Sequence, residues 1–386
     1  MRQLRRLSVP NFLFFATVAF AVDCLVFAAA LSEAMLAVDR MHATELQLGL
    51  LGAAVALGYA VPCIFTGVIS ERLGRRSLCL AATAGIAAVC FVEPHLSTMG
   101  ALCAAGALRM VATGFFWPPV MAWLTETTDS DSFSETLGRY NVCWAVGILV
   151  GFFAGGWTYQ RLGPVAAFHF TAWLAVAAFA FLLLATPRRM VQHQRPHGME
   201  EGDARAFVRQ GFLLNLCGCF TTSLILYVFP KLVEGRLEAG VQGTLHAVRM
   251  GGTVLAFAVM SSTRAWHFRR WPMWLGLGAL LAGLALCAAA RSLPLFAVAF
   301  AVTGAGAGTV YMLSAYYALA LMRTKGLAGG IQETLIGVGY FTGPMFGGVA
   351  GALAGPRTAL AAALIPLAAM LPAVWVRRSA ASRRPR

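Results

Sequence analysis

The sequence is short of charged residues, and acidic ones are the scarcest. Charged side chains make up 12% of the 386 residues, with 16 acidic against 30 basic, while 59% of the residues are hydrophobic. The mean hydropathy is +0.71. A soluble domain of ordinary composition carries about 25% charged residues, so an ordinary soluble fold is excluded. The chain is predicted to be an integral membrane protein.

The sequence also lacks the patterns that carry enzyme chemistry. It has no phosphate-binding G-x-x-x-x-G-K-[ST] loop, no histidine pair at metal-ligand spacing, and no soluble domain to hold an active site. These absences argue against an enzyme and against an ATP-driven pump, and no cofactor or metal is expected. The nine cysteines all fall inside apolar runs, which indicates small buried side chains and not disulfides.

Apolar runs of roughly 20 residues, the length that crosses a bilayer as a helix, recur throughout the chain. The long polar stretch 188–210 separates six such runs from six, which predicts an all-α protein with two bundles, 1–187 and 211–386, joined by a linker. The basic N-terminus resembles a signal peptide, but its apolar run continues past Ala30 and holds Asp23, so it is predicted to be the first span. The twelve candidate spans are residues 11–36, 45–67, 77–94, 98–124, 137–160, 165–186, 211–230, 241–262, 272–290, 294–320, 328–354 and 357–376.

Two glycine-rich segments, half a chain apart, share one unusual spacing. Glycines four residues apart lie on one helical face and let a neighbouring backbone approach closely inside lipid. The segments fall in spans five and eleven, so they predict duplication of a six-helix unit into parallel repeats. The matching glycines are Gly138, Gly147, Gly151, Gly155 and Gly156 in the first segment and Gly330, Gly339, Gly343, Gly347 and Gly348 in the second.

The second segment, GIQETLIGVGYFTGPMFGG, resembles the glycine-proline motif on the fifth helix of the major facilitator superfamily of secondary transporters, where it is associated mainly with antiporters. It meets every position, including Pro344, whereas the first segment has Phe152 in place of the proline, which weakens the antiporter inference. The resemblance implies a twelve-helix fold and transport by alternating access. We expect the Gly147–Gly156 seam to pack against span eight and the Gly339–Gly348 seam against span two. Passive packing in any membrane bundle is the alternative interpretation.

A loop between spans two and three resembles the superfamily sequence G-x-x-x-D-R-x-G-R-R, with glutamate replacing the usual aspartate. By resemblance, Glu71 and Glu126 pair with the loop arginines and latch the halves in the outward-facing state; alternatively, the arginines only set topology. Most of the 30 Lys and Arg residues lie on the side of this loop and of the N-terminus, so the positive-inside rule predicts both termini in the cytoplasm of a cell-membrane protein. The residues of the loop motif are Gly67, Glu71, Arg72, Gly74, Arg75 and Arg76.

Two ionisable residues in the middle of spans are the main candidates for proton coupling. Asp23 lies midway along span one and Arg109 in the middle of span four, where it resembles an arginine of the superfamily. Such residues are costly in lipid and are functional candidates by default. Because spans one and four line the central path in that fold, we expect Asp23 and Arg109 to meet there. A permanent buried ion pair that fixes helix packing is the alternative.

Other ionisable residues inside spans have less defined roles. His246 and Arg249 share one face of span eight, where the histidine relays a proton or the arginine satisfies backbone carbonyls or Glu126. Both are kept as coupling candidates. Glu33 and Glu333 lie near span ends, and a structural role in contact with interfacial water is expected for each.

Aromatic and weakly polar side chains on spans four, seven and ten form the predicted substrate wall. Pro118 and Pro119 are expected to bend span four beside it. A sugar site needs more amides and acids than these spans offer, so a lipophilic or amphipathic substrate is expected. The wall residues are Phe115, Phe116, Trp117, Asn215, Tyr227, Tyr311 and Tyr316.

Together these features predict a proton-coupled transporter, with export by antiport favoured. A proton symporter for uptake of a small organic metabolite is one alternative. The other is a non-transporting membrane assembly or lipid-handling factor, against which the desolvation cost of Asp23 and Arg109 argues. The expected partners are a small-molecule substrate, protons and the bilayer, and the protein is expected to be a monomer. No nucleic acid is expected, because the basic residues are dispersed among short loops.

Overall fold

The computed structural model describes residues 7–127, 133–187, 201–322 and 325–374, and within these ranges the chain is almost entirely helical. The first half contains α1 (Asn11–Asp39), α2 (Glu45–Leu73), α3 (Arg75–Val92), α4 (Met99–Gly114), α5 (Trp117–Glu126) and α6 (Phe133–Leu184). The second half contains α7 (Glu201–Leu232), α8 (Ala239–Ser262), α9 (Trp271–Ala289), α10 (Leu293–Leu321), α11 (Lys325–Ala354), α12 (Pro356–Ala362), α13 (Leu364–Ala368) and α14 (Leu371–Val374). Two short parallel strands, β1 (Leu7–Val9) and β2 (Ala185–Pro187), join the start of the first half to its end.

Ten helices of the described residues are long and apolar enough to cross a membrane. The difference from twelve has two causes. Helix α6 contains two of the predicted spans, which are separated at Gly163, where φ is 84° and Pro164 follows. The last predicted span is divided into the short helices α12, α13 and α14. The protein is an integral, multi-pass, all-α membrane protein.

Two boundaries differ from the sequence-based expectation or refine it. The predicted bend of span four is confirmed, but it lies before the prolines: α4 ends at Gly114 and α5 begins at Trp117. A proline in the first turn of a helix removes no hydrogen bond, so Pro118 and Pro119 start α5 instead of kinking it. Helix α7 begins at Glu201, which makes the last part of the predicted linker helical, while residues 188–200 lie outside the described residues.

The glycine seam of α6 faces α1, so its predicted pairing with α8 was wrong for three of its glycines. A Cβ atom built on Gly147 would lie 2.9 Å from the Cα atom of Phe20, and one built on Gly155 would lie 2.8 Å from that of Ala28. Gly151 faces α1 in the same way. In the second half, the corresponding glycines of α11 face α7 and not α2. Each seam therefore packs a helix inside its own half.

The final glycine of each motif makes the contact between the halves. Consecutive residues are turned by about 100° around a helix, so Gly156 points away from α1 and toward α8. A Cβ atom built there would lie 3.0 Å from the Cα atom of Gly243. Likewise, one built on Gly348 of α11 would lie 2.8 Å from the Cα atom of Gly49 on α2. We call these two contacts the glycine crossings. The two adjacent glycines at the end of each motif therefore contact two different helices.

Both glycine crossings lie at the end of the bundle opposite the α2–α3 turn, which we call the far end. Polar contacts between the halves accompany the crossing of α6 and α8. The backbone N–H of Gly240 donates to Gln160 Oε1 at 2.9 Å, and Trp157 Nε1 donates to Thr244 Oγ1 at 3.2 Å. The halves are therefore in backbone contact and closed at the far end.

Enlarging either glycine crossing is expected to separate the halves at the far end. In Gly156→Leu or Gly348→Leu the new side chain has no space. The distance between the two helix axes should grow by at least about 2 Å, because interaxial distances range over about 8–10 Å with the size of the side chains at the contact. Pulsed electron paramagnetic resonance between spin labels at positions 42 and 236, one on each half, measures this distance. Gly278→Leu is the matched control, because a Cβ atom on that exposed glycine meets nothing within 4 Å. An unchanged distance in both crossing variants would contradict the assignment.

Candidate functional site

A central cavity of ≈ 180 Å³ lies between the two halves. Helices α1, α2, α4, α5 and α6 supply its wall from the first half, and α7, α10 and α11 supply it from the second. Most of its lining is apolar or aromatic. The aromatic lining residues are Phe27, Tyr59, Trp117, Tyr140, Trp144, Tyr227, Tyr311 and Tyr340. The cavity thus has the position and the walls of a ligand-binding site between the two halves.

Two carboxyl groups, one from each half, face this cavity. Asp23 on α1 is 7% exposed and has no hydrogen bond or ion pair within the described part of the chain. Glu333 on α11 accepts a hydrogen bond of 2.5 Å from the hydroxyl group of Tyr59 on α2. That bond joins the halves across the cavity. No Lys, Arg or His side chain belongs to the described lining.

The expectation for Glu333 was therefore wrong: it lies on the cavity and not at the membrane interface. A signal for this position was present in the repeat. Trp144 and Ile148 of the first glycine segment line the cavity, and Ile336 and Tyr340 occupy the equivalent positions of the second segment. Positions that match across the duplication share one face, and Glu333 lies on that face of α11, one turn before Ile336.

Three of the seven predicted wall residues line the cavity, namely Trp117, Tyr227 and Tyr311. The other four are elsewhere in the described structure. Phe115 is half-buried at the break between α4 and α5, Phe116 is fully buried in the core of the first half, and Asn215 is buried in α7. Adjacent residues face different neighbours, so the direction of each side chain decides whether it reaches the cavity.

Tyr316 belongs to an aromatic cluster at the end of α10, away from the cavity. Its hydroxyl group and His267 Nδ1 are 3.1 Å apart, and the two rings stack with centroids 4.3 Å apart. His267 lies in the loop between α8 and α9, where burial and the nearby Arg264 guanidinium lower its pKa. This loop is the second-half counterpart of the α2–α3 loop. The cluster is thus a structural feature of that end of the bundle.

Arg109 forms ion pairs with Glu33 and Glu93, so the predicted meeting with Asp23 was wrong. Its Nη2 atom contacts Glu33 Oε2, and its Nε atom lies 3.0 Å from Glu93 Oε1. All three side chains are 0% exposed. Ten residues of helix separate Asp23 from Glu33, or roughly 15 Å along α1, and Arg109 lies level with Glu33. Glu33 is correspondingly buried, away from the interfacial water expected for it.

His246 and Arg249 lie against Phe152, the residue that replaces the proline of the motif. The His246 ring stacks on the Phe152 ring with centroids 4.8 Å apart, and the Arg249 guanidinium carbon lies 5.5 Å from the centroid of the same ring. Neither side chain lines the cavity. Within the described ranges, both His246 ring nitrogens and Arg249 Nε lack hydrogen-bond partners. Phe152 therefore joins α6 of the first half to α8 of the second through ring contacts.

The α2–α3 loop contacts other elements of the first half. Gly74 adopts a φ of 83° at the turn, a conformation that favours glycine. Arg75 forms an ion pair with Glu126 at the end of α5, and Arg76 Nη2 donates to the carbonyl oxygen of Leu183 on α6 at 2.6 Å. The predicted partner of Arg249, Glu126, is therefore engaged elsewhere.

Glu71 does not take part in the arrangement expected for a latch. Glu71 and Arg72 are both exposed, and Glu71 forms no ion pair with any residue the structure describes. Gly67 lies within α2 ahead of them. The loop motif forms the ion pair Arg75–Glu126, which connects the start of α3 to the end of α5 within the first half.

Breaking this ion pair is expected to change the resting conformation modestly. Arg75→Gln removes a half-exposed ion pair, which contributes about 1 kcal/mol or less of stabilising free energy. This corresponds to at most about a fivefold shift in the ratio of outward-facing to inward-facing molecules. Labelling of introduced cysteines from the two sides of the membrane measures that ratio. Glu71→Gln, at an exposed position, is the control and should leave labelling unchanged. If the two variants show the same labelling ratio, the loop arginines set membrane topology and have no effect on the conformational ratio.

Comparison with known families identifies the fold. A family model described as Major Facilitator Superfamily matches residues 13–268. No curated protein gave a significant sequence match. Among the described residues, no cluster of side chains could hold a metal ion.

Solved transporter structures have the same fold at low sequence identity. The nucleoside transporter NupG has a TM-score of 0.70 at 11% identity, over 96% of this chain and 100% of that one. A bacterial homologue of the human lysosomal transporter Spinster, inward-facing and unoccupied, has a TM-score of 0.73 at 16% identity, over 95% and 97%. The human organic anion transporter MFSD10 has a TM-score of 0.65 at 16% identity, over 94% and 97%. At these identities the likeness extends to the fold alone.

Proposed function

The chain belongs to the Major Facilitator Superfamily, and from this premise we propose that it is a proton-coupled antiporter. It exports a small lipophilic or amphipathic organic compound by alternating access. Membership of the family makes it a secondary transporter and not an enzyme. The coupling ion, the direction of transport and the type of substrate do not follow from family membership and are parts of the proposal.

One observation carries the proposal: Asp23 and Glu333 face a single cavity from opposite halves. A carboxyl group is neutral when it holds a proton and negative when it does not. Because no basic side chain belongs to the described lining, no group in the wall offsets the negative charge that each deprotonation leaves in the cavity. Ionisable groups placed in this way inside a membrane mark proton or substrate pathways.

The origin of the two acids in different halves supports coupling to conformational change. Alternating access is a rocking of one half against the other around a central site. Such a movement changes the separation of Asp23 and Glu333 and breaks or remakes the hydrogen bond from Tyr59 to Glu333. Proton affinity and conformation are linked in this way, because the environment of each carboxyl group differs between the two states.

Antiport is favoured over symport by the complete glycine-proline motif on α11. Its last glycine forms one of the two glycine crossings, which close the far end by backbone contact. A site closed in this manner admits water and protons from one side at a time. Two cavity carboxyl groups that form no ion pair with any described residue also favour transport over a scaffold role, which has no use for their desolvation cost. The basic residues favour a cell-membrane protein with both termini in the cytoplasm.

Reconstituted liposomes that contain a pH-sensitive dye test the proposal. A panel of organic compounds is added outside without a pH gradient, and uptake and lumenal pH are followed together. An antiporter expels protons as substrate enters, so lumenal pH rises. Lumenal acidification would instead indicate a symporter, and substrate entry without a pH change would indicate a uniporter. If no compound of the panel enters the liposomes, the result favours a non-transporting protein. Empty liposomes and an Asp23→Asn, Glu333→Gln double variant are the controls.

A further inference from the structure

We infer that the substrate of this cavity is an organic cation with a compact aromatic or apolar body. Asp23 and Glu333 recognise its charge, and the aromatic wall recognises its body. The inference rests on the proposed function in one respect, namely that the cavity is the transport site. It assigns the class of compound, which the proposal of proton antiport leaves open.

The first argument is the charge of the wall. The lining holds two carboxyl groups and, among the described residues, no side chain that carries positive charge. The arginines nearby are held outside the lining. Arg109 is engaged by two carboxylates of its own, and Arg249 lies over the Phe152 ring. When Asp23 and Glu333 are ionised, the cavity carries negative charge that no other described lining residue neutralises, so it attracts a cation and repels an anion.

The second argument is the chemistry of the rest of the wall. Eight aromatic side chains line the cavity, and they come from both halves. Faces of tryptophan and tyrosine rings attract a cation, and the attraction is strongest where water is excluded. Trp144 and Tyr311 belong to different halves and pack edge to face with centroids 5.1 Å apart. A cationic body held here therefore contacts both halves at once.

The third argument concerns which polar substrates are disfavoured. Apart from the two carboxyl groups, the polar side chains of the described lining offer mainly hydroxyl groups and indole N–H groups. No amide side chain is among them. A sugar or a nucleoside carries many hydrogen-bonding groups, and each one left unmatched after burial weakens binding, because its hydrogen bonds to water are lost. A single positive charge on an apolar body leaves none unmatched.

The size of the cavity sets the scale of the probe. At ≈ 180 Å³ it is slightly larger than a cavity of about 150 Å³, which holds benzene. The cavity volume therefore matches a compound with one aromatic ring and a small charged group. Phenyltrimethylammonium is such a compound, and its permanent charge does not depend on pH. Its neutral isostere is tert-butylbenzene, and benzenesulfonate has the same ring with a tetrahedral anionic group.

Binding of these three compounds to the full-length protein in detergent tests the inference by calorimetry. Phenyltrimethylammonium should bind at least about tenfold more tightly than tert-butylbenzene, the ratio expected from one charge interaction of about 1.4 kcal/mol. Benzenesulfonate should not bind. Equal affinity for the cation and its neutral isostere, tighter binding of the anion, or no binding of the cation would each overturn the inference.

Variants separate charge recognition from loss of structure. Asp23→Asn and Glu333→Gln should each weaken binding of the cation by at least about fivefold and leave binding of tert-butylbenzene unchanged, which shows that the cavity persists. Glu234→Gln is the matched control, because Glu234 pairs with Lys231 at 2.7 Å outside the cavity. Cation affinity that is unchanged in both cavity variants would contradict the role of the carboxyl groups.

The binding assay is independent of the transport assay. Binding in detergent needs no gradient and no movement across a membrane, so retained cation binding without proton movement would refute antiport alone. Proton-coupled transport of an anion, with no cation binding, would refute the cation inference alone. The two failures are therefore distinguishable.

Discussion

Replacing Asp23 with asparagine is expected to abolish uphill transport driven by a proton gradient. Asparagine keeps the size of the side chain and removes its ability to take up and release a proton, so the variant resembles the protonated state permanently. Substrate exchange at saturating concentration, which needs no net proton transfer, should persist. Accumulation of substrate in liposomes under an imposed pH gradient, compared with exchange in the absence of a gradient, measures the two activities separately.

The matched control for this prediction is Asp39→Asn, the same substitution at an exposed position on the same helix. It should leave accumulation unchanged. If Asp23→Asn accumulates substrate normally and with an unchanged pH profile, Asp23 has no coupling role. Glu333 would then be the coupling group in the cavity, and Glu333→Gln alone should abolish accumulation.

Replacing Arg109 with methionine is expected to destabilise the first half severely. Glu33 and Glu93 would remain buried at 0% exposure with no cation between them. Removing one partner of a buried ion pair typically costs about 3–5 kcal/mol, because an uncompensated charge remains. The variant should show a lower melting temperature in detergent and a smaller yield of monodisperse protein.

A triple variant shows whether this effect arises from the charges or from packing. Arg109→Met combined with Glu33→Gln and Glu93→Gln removes all three charges at similar volume, and buried ion pairs replaced in this way are often neutral or stabilising. Most of the lost stability should return. An Arg109→Met protein as stable as the wild type would contradict the prediction. Because Arg109 pairs with Glu33 and Glu93 and not with Asp23, it is not expected to set the pH dependence of transport directly.

The features that could be predicted from sequence are those that local chemistry decides. The length of an apolar run determines whether a helix can span the bilayer, so the membrane class and the division into two halves followed from the residues. Proline restricts the backbone at its own position and just before it, so the break beside Pro118 was predictable to within a few residues. The glycine spacing in α6 and α11 revealed the duplication, because helical periodicity puts such glycines on one face.

The pairing of buried charges needed the tertiary structure, because it depends on how helices are rotated and at what height they lie against one another. Sequence distance gives the height of Glu33 above Asp23 on one helix, but not which of them Arg109 meets on another. The same rotation put Glu333 on the cavity and turned Gly155 and Gly156 toward different neighbours. Residue types and their spacing thus determined the membrane fold and its duplication. Relative helix register decided the ion pairs, the cavity wall and the contacts between the halves.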